Sequence, residues 1–330
     1  MSRGALLGLF AGLWAAVATA ACAAAGGGAL VLERTIPLPG VTGRIDHLAV
    51  DLERHRLFVA EVGAGALDQI DLATGQRLKR VVGLKEPQGV AYLPDMDQVV
   101  VANGGDGSVR FYRAEGLEPV GEVRLDGDAD NVRIELKRGL VVVAYGSGLA
   151  LIDPAGRTIV GDIPLRSHPE GFQIDQATQR AYVNMPGQRR VVVVDLAARR
   201  EVASWATPGA IWNFPLALTP AGTVAAVFRG PPKLMMFDAK SGAVTARSGV
   251  CGDSDDAHFD LRRRRLYVTC GTGAVETFAE AGGSYRSLGR TGTRSGARTA
   301  LFVPELDRLF VAARAGGGGQ AAIMVLRPQD

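Results

Sequence analysis

Seven polar residues recur at one position of a repeated phrase: Asp46, Gln88, Asp130, Glu170, Asn213, Asp255 and Arg298, spaced 40 to 43 residues apart. In each copy the polar residue precedes a short apolar run, a polar turn and a second run such as Arg56-Leu57-Phe58-Val59-Ala60. If the copies are equivalent in space, the seven side chains meet. Four are carboxylates and one is a guanidinium, so a ring of them repels itself and Arg298 offsets only part of that. A cation or a basic ligand group would relieve the repulsion, and oxygen-rich rings suit calcium or magnesium. The competing reading is that these residues hydrogen-bond water and neighbouring backbone and nothing more.

Two neighbours extend the set. His168 stands two residues before Glu170 and directly before Pro169, where it either orders its own turn or serves as a general base. Trp212 adjoins Asn213 and either packs its loop or offers a stacking face at the rim. His47 and His258 fall near the start of apolar runs in other copies, and His55 falls in a polar turn. None of the four histidines lies in a Gly-x-Ser-x-Gly elbow, and no Cys/His spacing fits zinc. Asn103-Gly104-Gly105-Asp106-Gly107 reads as a β-turn, not as the strand-to-helix loop that cradles phosphate.

A period of about 42 residues built from strand-like units signals a radial or solenoidal repeat. Period-two alternation and turn clusters run from Leu30 onward with no amphipathic helix of three turns. The first full copy divides into strand A at Leu48-Ala49-Val50, strand B at Leu57–Ala60, strand C at Leu67–Asp71 and strand D at Arg77–Val82. Four antiparallel strands with short turns make one propeller blade, so the expected fold is all-β: a seven-bladed β-propeller over residues 30–330. The seventh copy stops after three strands, while Leu30–Leu38 precedes the first copy as a spare strand D. Pairing the spare strand into the last blade closes the ring and removes an exposed edge; an open array with a frayed end is the alternative.

In such a ring the loops into strand A and between strands B and C open on one face. The seven positions would then surround the mouth of a central channel. His47, Asn131, Asp256 and Thr299 stand just beyond them, and the B–C loops add Glu61, Asn103, Tyr145, Asn184, Arg229, Cys270 and Arg314. Trp205, on an outer strand, is expected to pack between blades.

Of the 330 residues 47% are hydrophobic and 22% charged, as in an ordinary globular chain, and 43 glycines suit many tight turns. The net charge of +3 argues against a duplex-DNA binder, and Arg262-Arg263-Arg264-Arg265 reads as a solvated hairpin turn. Arg3, the apolar stretch Ala5–Ala18 and Ala18-Thr19-Ala20 form a secretory signal peptide, expected over residues 1–25. An uncleaved anchor is one alternative, and a lipoprotein through Cys22 is another. No other stretch is long and apolar enough to cross a bilayer, so the expected product is a monomer in the periplasm or secreted. Export lets Cys251 and Cys270 persist as a disulfide, with two buried free thiols as the alternative. Hairpin counting sets Cys270 opposite Asp255.

Ala181-Tyr182-Val183-Asn184, Leu266-Tyr267-Val268-Thr269 and Ile70-Asp71-Leu72-Ala73-Thr74-Gly75 resemble the YVTN-repeat, YncE-like propellers of exported bacterial proteins. His168-Pro169-Glu170-Gly171-Phe172-Gln173, Asn213-Phe214-Pro215, Asp255-Asp256 and Gly296-Ala297-Arg298-Thr299 resemble an uncharacterised exported subgroup, which usually has Ser where Gly171 stands. The resemblance implies the seven-bladed fold and no activity. Asp130, Glu170, Asn213 and Asp255 also resemble the Glu/Asn/Asp calcium set of gluconolactonase-like propellers, which implies them as ligands of calcium or magnesium. Two functions follow as expectations. One is a non-enzymatic binding or scaffold module for a small ligand, a peptide or an envelope protein. The other is a metal-assisted lactonase- or lyase-like enzyme at the same ring.

Overall fold

The computed structural model describes Met1 and residues 28–330 apart from 220, 221 and 283. The signal peptide expected over residues 1–25, and Cys22 with it, lie outside the described residues. The rest forms seven four-stranded antiparallel sheets. Blade one is Leu48–Asp51, Arg56–Glu61, Ala66–Asp71 and Arg77–Val82, in that spatial order. The first strand of each blade touches the first strands of both neighbours all the way round, including blade seven to blade one, so the sheets stand as a closed ring. The helices among the described residues are single 3-10 turns at Pro94–Met96 and Pro186–Gln188, and none is long and apolar enough to cross a membrane.

The apolar runs make sense once blades stack face to face. Strand B of blade one is buried on both faces, from Leu57 through Glu61, and the B strands of the other blades repeat the pattern. Seven separate hydrophobic clusters result, one in each gap between adjacent blades. In one of them Trp205 lies 5.7 Å from the Tyr182 ring and 5.8 Å from Phe237, packed between blades as expected. Among the described residues there is no single central core, which leaves the axis free for polar side chains. Outer strands mix exposed with half-buried residues, in strict alternation in Val244–Gly249.

Aspartates end many strands and shape the turns after them. The Asp71 carboxylate accepts the backbone N–H groups of Ala73 and Thr74 at 2.9 and 2.7 Å, and Asp195 does the same for Ala197 and Ala198. At Gly89 the need is for close approach: an added Cβ would lie 2.1 Å from the Asp130 carbonyl oxygen, so glycine lets blades two and three meet beside the axis.

The ring closes as expected. Leu30–Pro37 pairs antiparallel with Ala322–Pro328 as the outer strand of the last blade, running from Leu30 opposite Pro328 to Pro37 opposite Ala322. Leu38 N–H donates to Ala321 O at 2.8 Å, Gln329 N–H donates to Ala29 O at 3.0 Å, and Arg308 pairs with Glu33 across the join. The arginine run forms the expected hairpin turn with Arg262 and Arg264 exposed, and differs at one residue. The Arg263 side chain is nearly covered and bridges Asp260 and Asp307 at 3.1 and 2.6 Å, while Arg264 reaches Glu280.

Candidate functional site

The first strands and the loops leading into them bring side chains from all seven blades round a cavity of about 240 Å³ at one end of the axis. Of the seven ring positions, Asp46, Gln88, Asp130, Glu170, Asp255 and Arg298 line it, together with His47, Asn131, His168, Asp256 and Arg229. Arg44, Asp128 and Arg133 line it as well and were not among the candidates. Arg44 and Asp128 each stand two residues before a ring position, the same side of an extended chain, and that period was the signal available.

Several candidates point elsewhere. Asn213 is fully buried, and its amide donates to Asn184 Oδ1 at 2.8 Å and Arg190 O at 2.9 Å, which commits it to the seam between blades four and five. The four-residue calcium set is therefore not assembled around one point. Trp212 is 55% exposed, and its ring lies over Gly230 and not over the cavity. Thr299 donates to Ile45 O, and Asn103 donates to Val101 and Ser108 carbonyls. Tyr145 hydroxyl donates to Asp162, Asn184 to the Phe214 and Pro215 carbonyls, and Glu61 accepts from Arg80. Arg314 lies against Gly296, outside the lining. Of the B–C candidates only Arg229 reaches in.

Cys251 and Cys270 form a disulfide with Cα atoms 5.9 Å apart. Cys270 stands opposite Ser254, not Asp255, because a bulge between Ser254 and Asp256 shifts the register by one residue. The bridge secures the loop that carries Asp253 and Asp255.

The cavity has two electrostatic sides. On one, Arg229 Nη2 donates to Asp255 Oδ1 at 2.5 Å, Arg298 Nε reaches Asp255 Oδ2 at 3.0 Å, and both arginines also reach Asp253. The Arg229 guanidinium lies 4.0 Å over the Phe214 ring, which fixes its aim. A Cβ on Gly171 would sit 2.4 Å from the Phe214 carbonyl oxygen, so glycine there lets blades four and five close up beneath that ring. Burial raises the Asp255 carboxyl to about 7 against the pull of Arg229 and Arg298.

On the other side stand Asp128, Asp130 and Glu170 with His168, whose Nε2 is 3.9 Å from Asp130 Oδ2. Burial and the charge of Asp130 raise Glu170 to about 8, and the Asp130 contact raises His168 to about 9 against burial. Asp128 accepts from Gln88 at 2.9 Å, and Gln88 accepts from Arg44 at 2.6 Å. The Asp130 carboxylate accepts no hydrogen bond shorter than the 3.9 Å His168 contact among the described residues.

Below the cavity His47, Asp256 and Arg133 form a waist. His47 Nδ1 lies 3.6 Å from Asp256 Oδ2, which also accepts the Ala300 N–H at 2.8 Å. Burial opposes a charge on His47, yet Asp256, Asp46 and Asp130 outweigh it and raise its pKa to about 10. Burial lowers the Arg133 guanidinium, partly offset by Asp256 and Asp130. Beyond the waist the channel turns apolar, with Leu48, Val90, Val132 and Leu301 around His258, whose Nε2 faces Ala300 O at 2.9 Å.

No family model and no curated protein sequence matches this chain. Solved structures do. Hydrazine synthase of Kuenenia stuttgartiensis aligns with a TM-score of 0.76 at 15% identity, over 88% of this chain and 98% of that one. A chain in a crystal structure of a mitotic checkpoint complex aligns with a TM-score of 0.77 at 12% identity, over 100% and 99%. What they share with it is the propeller. Identity this low carries the fold alone, so the chemistry of this propeller's mouth rests on its own side chains.

Proposed function

We propose that this chain is an exported propeller of the YVTN-repeat kind that works as a binding module, taking a small polar ligand at the mouth of its channel. The observation that carries this reading is the convergence of all seven blades on one cavity in which Asp130 and Glu170 lack full partners. Buried carboxylates are costly unless something pairs them. The arginines on the opposite side are already matched to Asp255 and Asp253, so they do not supply that partner. Export is supported by the signal-peptide pattern over residues 1–25, and the Cys251–Cys270 bridge suits an oxidising compartment.

A thermal-shift screen of small polar compounds (amino acids, polyamines, hydroxy acids and sugar acids) tests it. At least one compound should stabilise the wild-type protein and lose its effect in Arg229→Gln or Gln88→Ala, while Trp212→Ala responds like wild type. Compounds that bind the cavity variants as well as wild type, or that only Trp212→Ala abolishes, would place the site elsewhere.

A further inference from the structure

We propose that Asp130, His168 and Glu170 hold one first-row divalent transition ion, of the zinc and manganese class, in the wall of the cavity. This rests on the reading of the channel mouth as a binding site and names the first thing it would hold. One ligand atom from each residue lies within 4.8 Å of the others, with His168 Nε2 and Asp130 Oδ2 at 3.9 Å. Donors round an ion with bonds of about 2.0–2.2 Å stand roughly 3–3.5 Å apart. Closing the set therefore needs side-chain adjustments on the order of 1 Å or less, with no backbone movement.

Two independent observations point to a ligand at this place. Asp130 is only 7% exposed and lines the cavity, yet its carboxylate accepts no hydrogen bond of normal length among the described residues, its ion-pair contact being His168 Nε2 at 3.9 Å. A carboxylate this deeply set with only one long contact is a strong acceptor for a cation placed between it and that imidazole. Second, His168 Nδ1 lies 3.2 Å from Gly146 O. A carbonyl oxygen only accepts, so Nδ1 carries hydrogen and Nε2, 3.9 Å from Asp130 Oδ2, is the atom left to take an ion. Metal-ligating imidazoles are oriented by a bond of this kind, and the ion takes the place of any proton on Nε2. The backbone is fixed on both sides: Glu170 N–H donates to Asn184 O at 3.0 Å, and Asp130 sits within the strand Ala129–Glu135.

The donor set also selects the ion. Calcium takes six to eight oxygens and magnesium a near-ideal octahedron of them, whereas imidazole with carboxylate suits zinc, manganese, iron or nickel. Asn213 is turned into a seam, and Asp255 is engaged by two arginines, so neither completes an all-oxygen cage. Three protein ligands at a cavity wall leave open positions directed at the cavity, where a ligand's own oxygen or nitrogen would complete the shell.

The test uses untagged, chelator-treated protein and metal alone. Isothermal titration with zinc, manganese, calcium and magnesium chlorides should give one site per chain for zinc or manganese, with calcium and magnesium weaker. His168→Gln and Asp130→Asn should each weaken that site at least about tenfold, and His55→Gln should leave it unchanged. The cobalt-substituted visible spectrum should change in His168→Gln. His168 is half-exposed in a loop, so that variant keeps the test valid if Asp130→Asn folds poorly. Absence of zinc or manganese binding at millimolar concentration, calcium binding the tightest, or full affinity in His168→Gln would each overturn the site. The cavity could still take an organic ligand in the compound screen, so the two readings fail separately.

Discussion

His47 makes the waist of the channel pH-sensitive, and the size of the effect follows from its neighbours. Its imidazolium is held by Asp256 at 3.6 Å, with Asp46 at 4.0 Å, and its pKa rises from 6.5 to about 10. Below pH 6.5 both folded and unfolded chains carry the proton, and the full contribution to stability is present. Between 6.5 and about 10 the unfolded chain has released its proton while the folded one keeps it, so this contribution falls by about 1.4 kcal/mol per pH unit. Over pH 6.5 to 9 the loss is about 3 kcal/mol, an upper figure because Asp46 responds to the same proton. His47→Gln removes the titration and leaves Asp256 without its cation. Urea unfolding of both proteins at pH 6.5, 7.5 and 9, followed by tryptophan fluorescence, measures the gap between them. The gap should be widest at pH 6.5 and should narrow steadily toward pH 9, since groups common to both proteins cancel. A gap of the same size at all three pH values would show that His47 is neutral in the fold, and that the waist is held by packing and not by charge.

Replacing Cys251 and Cys270 by serine opens a loop with a sequence separation of 19 residues. It should cost about 3 kcal/mol, seen by calorimetry as a fall in Tm of about 5 °C; an unchanged Tm would remove the bridge from the account of stability. Deleting residues 28–38 exposes the Ala322–Pro328 edge and should produce oligomers on size-exclusion chromatography; a monomer with wild-type Tm would refute closure by that strand. Asn213→Ala strands acceptors on Asn184 and Arg190 and should cost about 1–3 kcal/mol, while leaving ion and ligand binding intact; lost binding at unchanged Tm would return Asn213 to the site.

The fold was legible because stacking blades bury both faces of each B strand. A run such as Leu57-Phe58-Val59-Ala60 therefore stands out in every copy, and the spare strand at Leu30 needed only a place to pair. The site was legible where the repeat position lies at the axis end of strand A or just before it, as at Asp130 and Asp46. It failed at Asn213 because Asn184 Oδ1 and the Arg190 carbonyl, from the neighbouring blade, stand within reach of its amide and hold it in the seam, and sequence spacing does not show those partners. The B–C candidates failed for a related reason. Glu61, Asn103 and Cys270 are the last residues of their B strands, where burial continues. Arg229 sits in a longer strand, Thr223–Gly230, and has the reach to turn inward. Charge pairing was invisible in sequence: Arg44, Arg133 and Arg229 come from three different blades, and only the closed ring sets them against the carboxylates.

Because the cohesive contacts lie in the gaps between blades, and residues 29 and 329 are already hydrogen-bonded side by side, the ring has no privileged starting point. The backbone could be cut at an exposed residue of a loop between two blades and rejoined across the present ends with every four-stranded sheet kept whole. A circularly permuted molecule could present its new termini next to any chosen sector of the channel mouth, which makes the scaffold a turntable on which one blade at a time can be brought to the join.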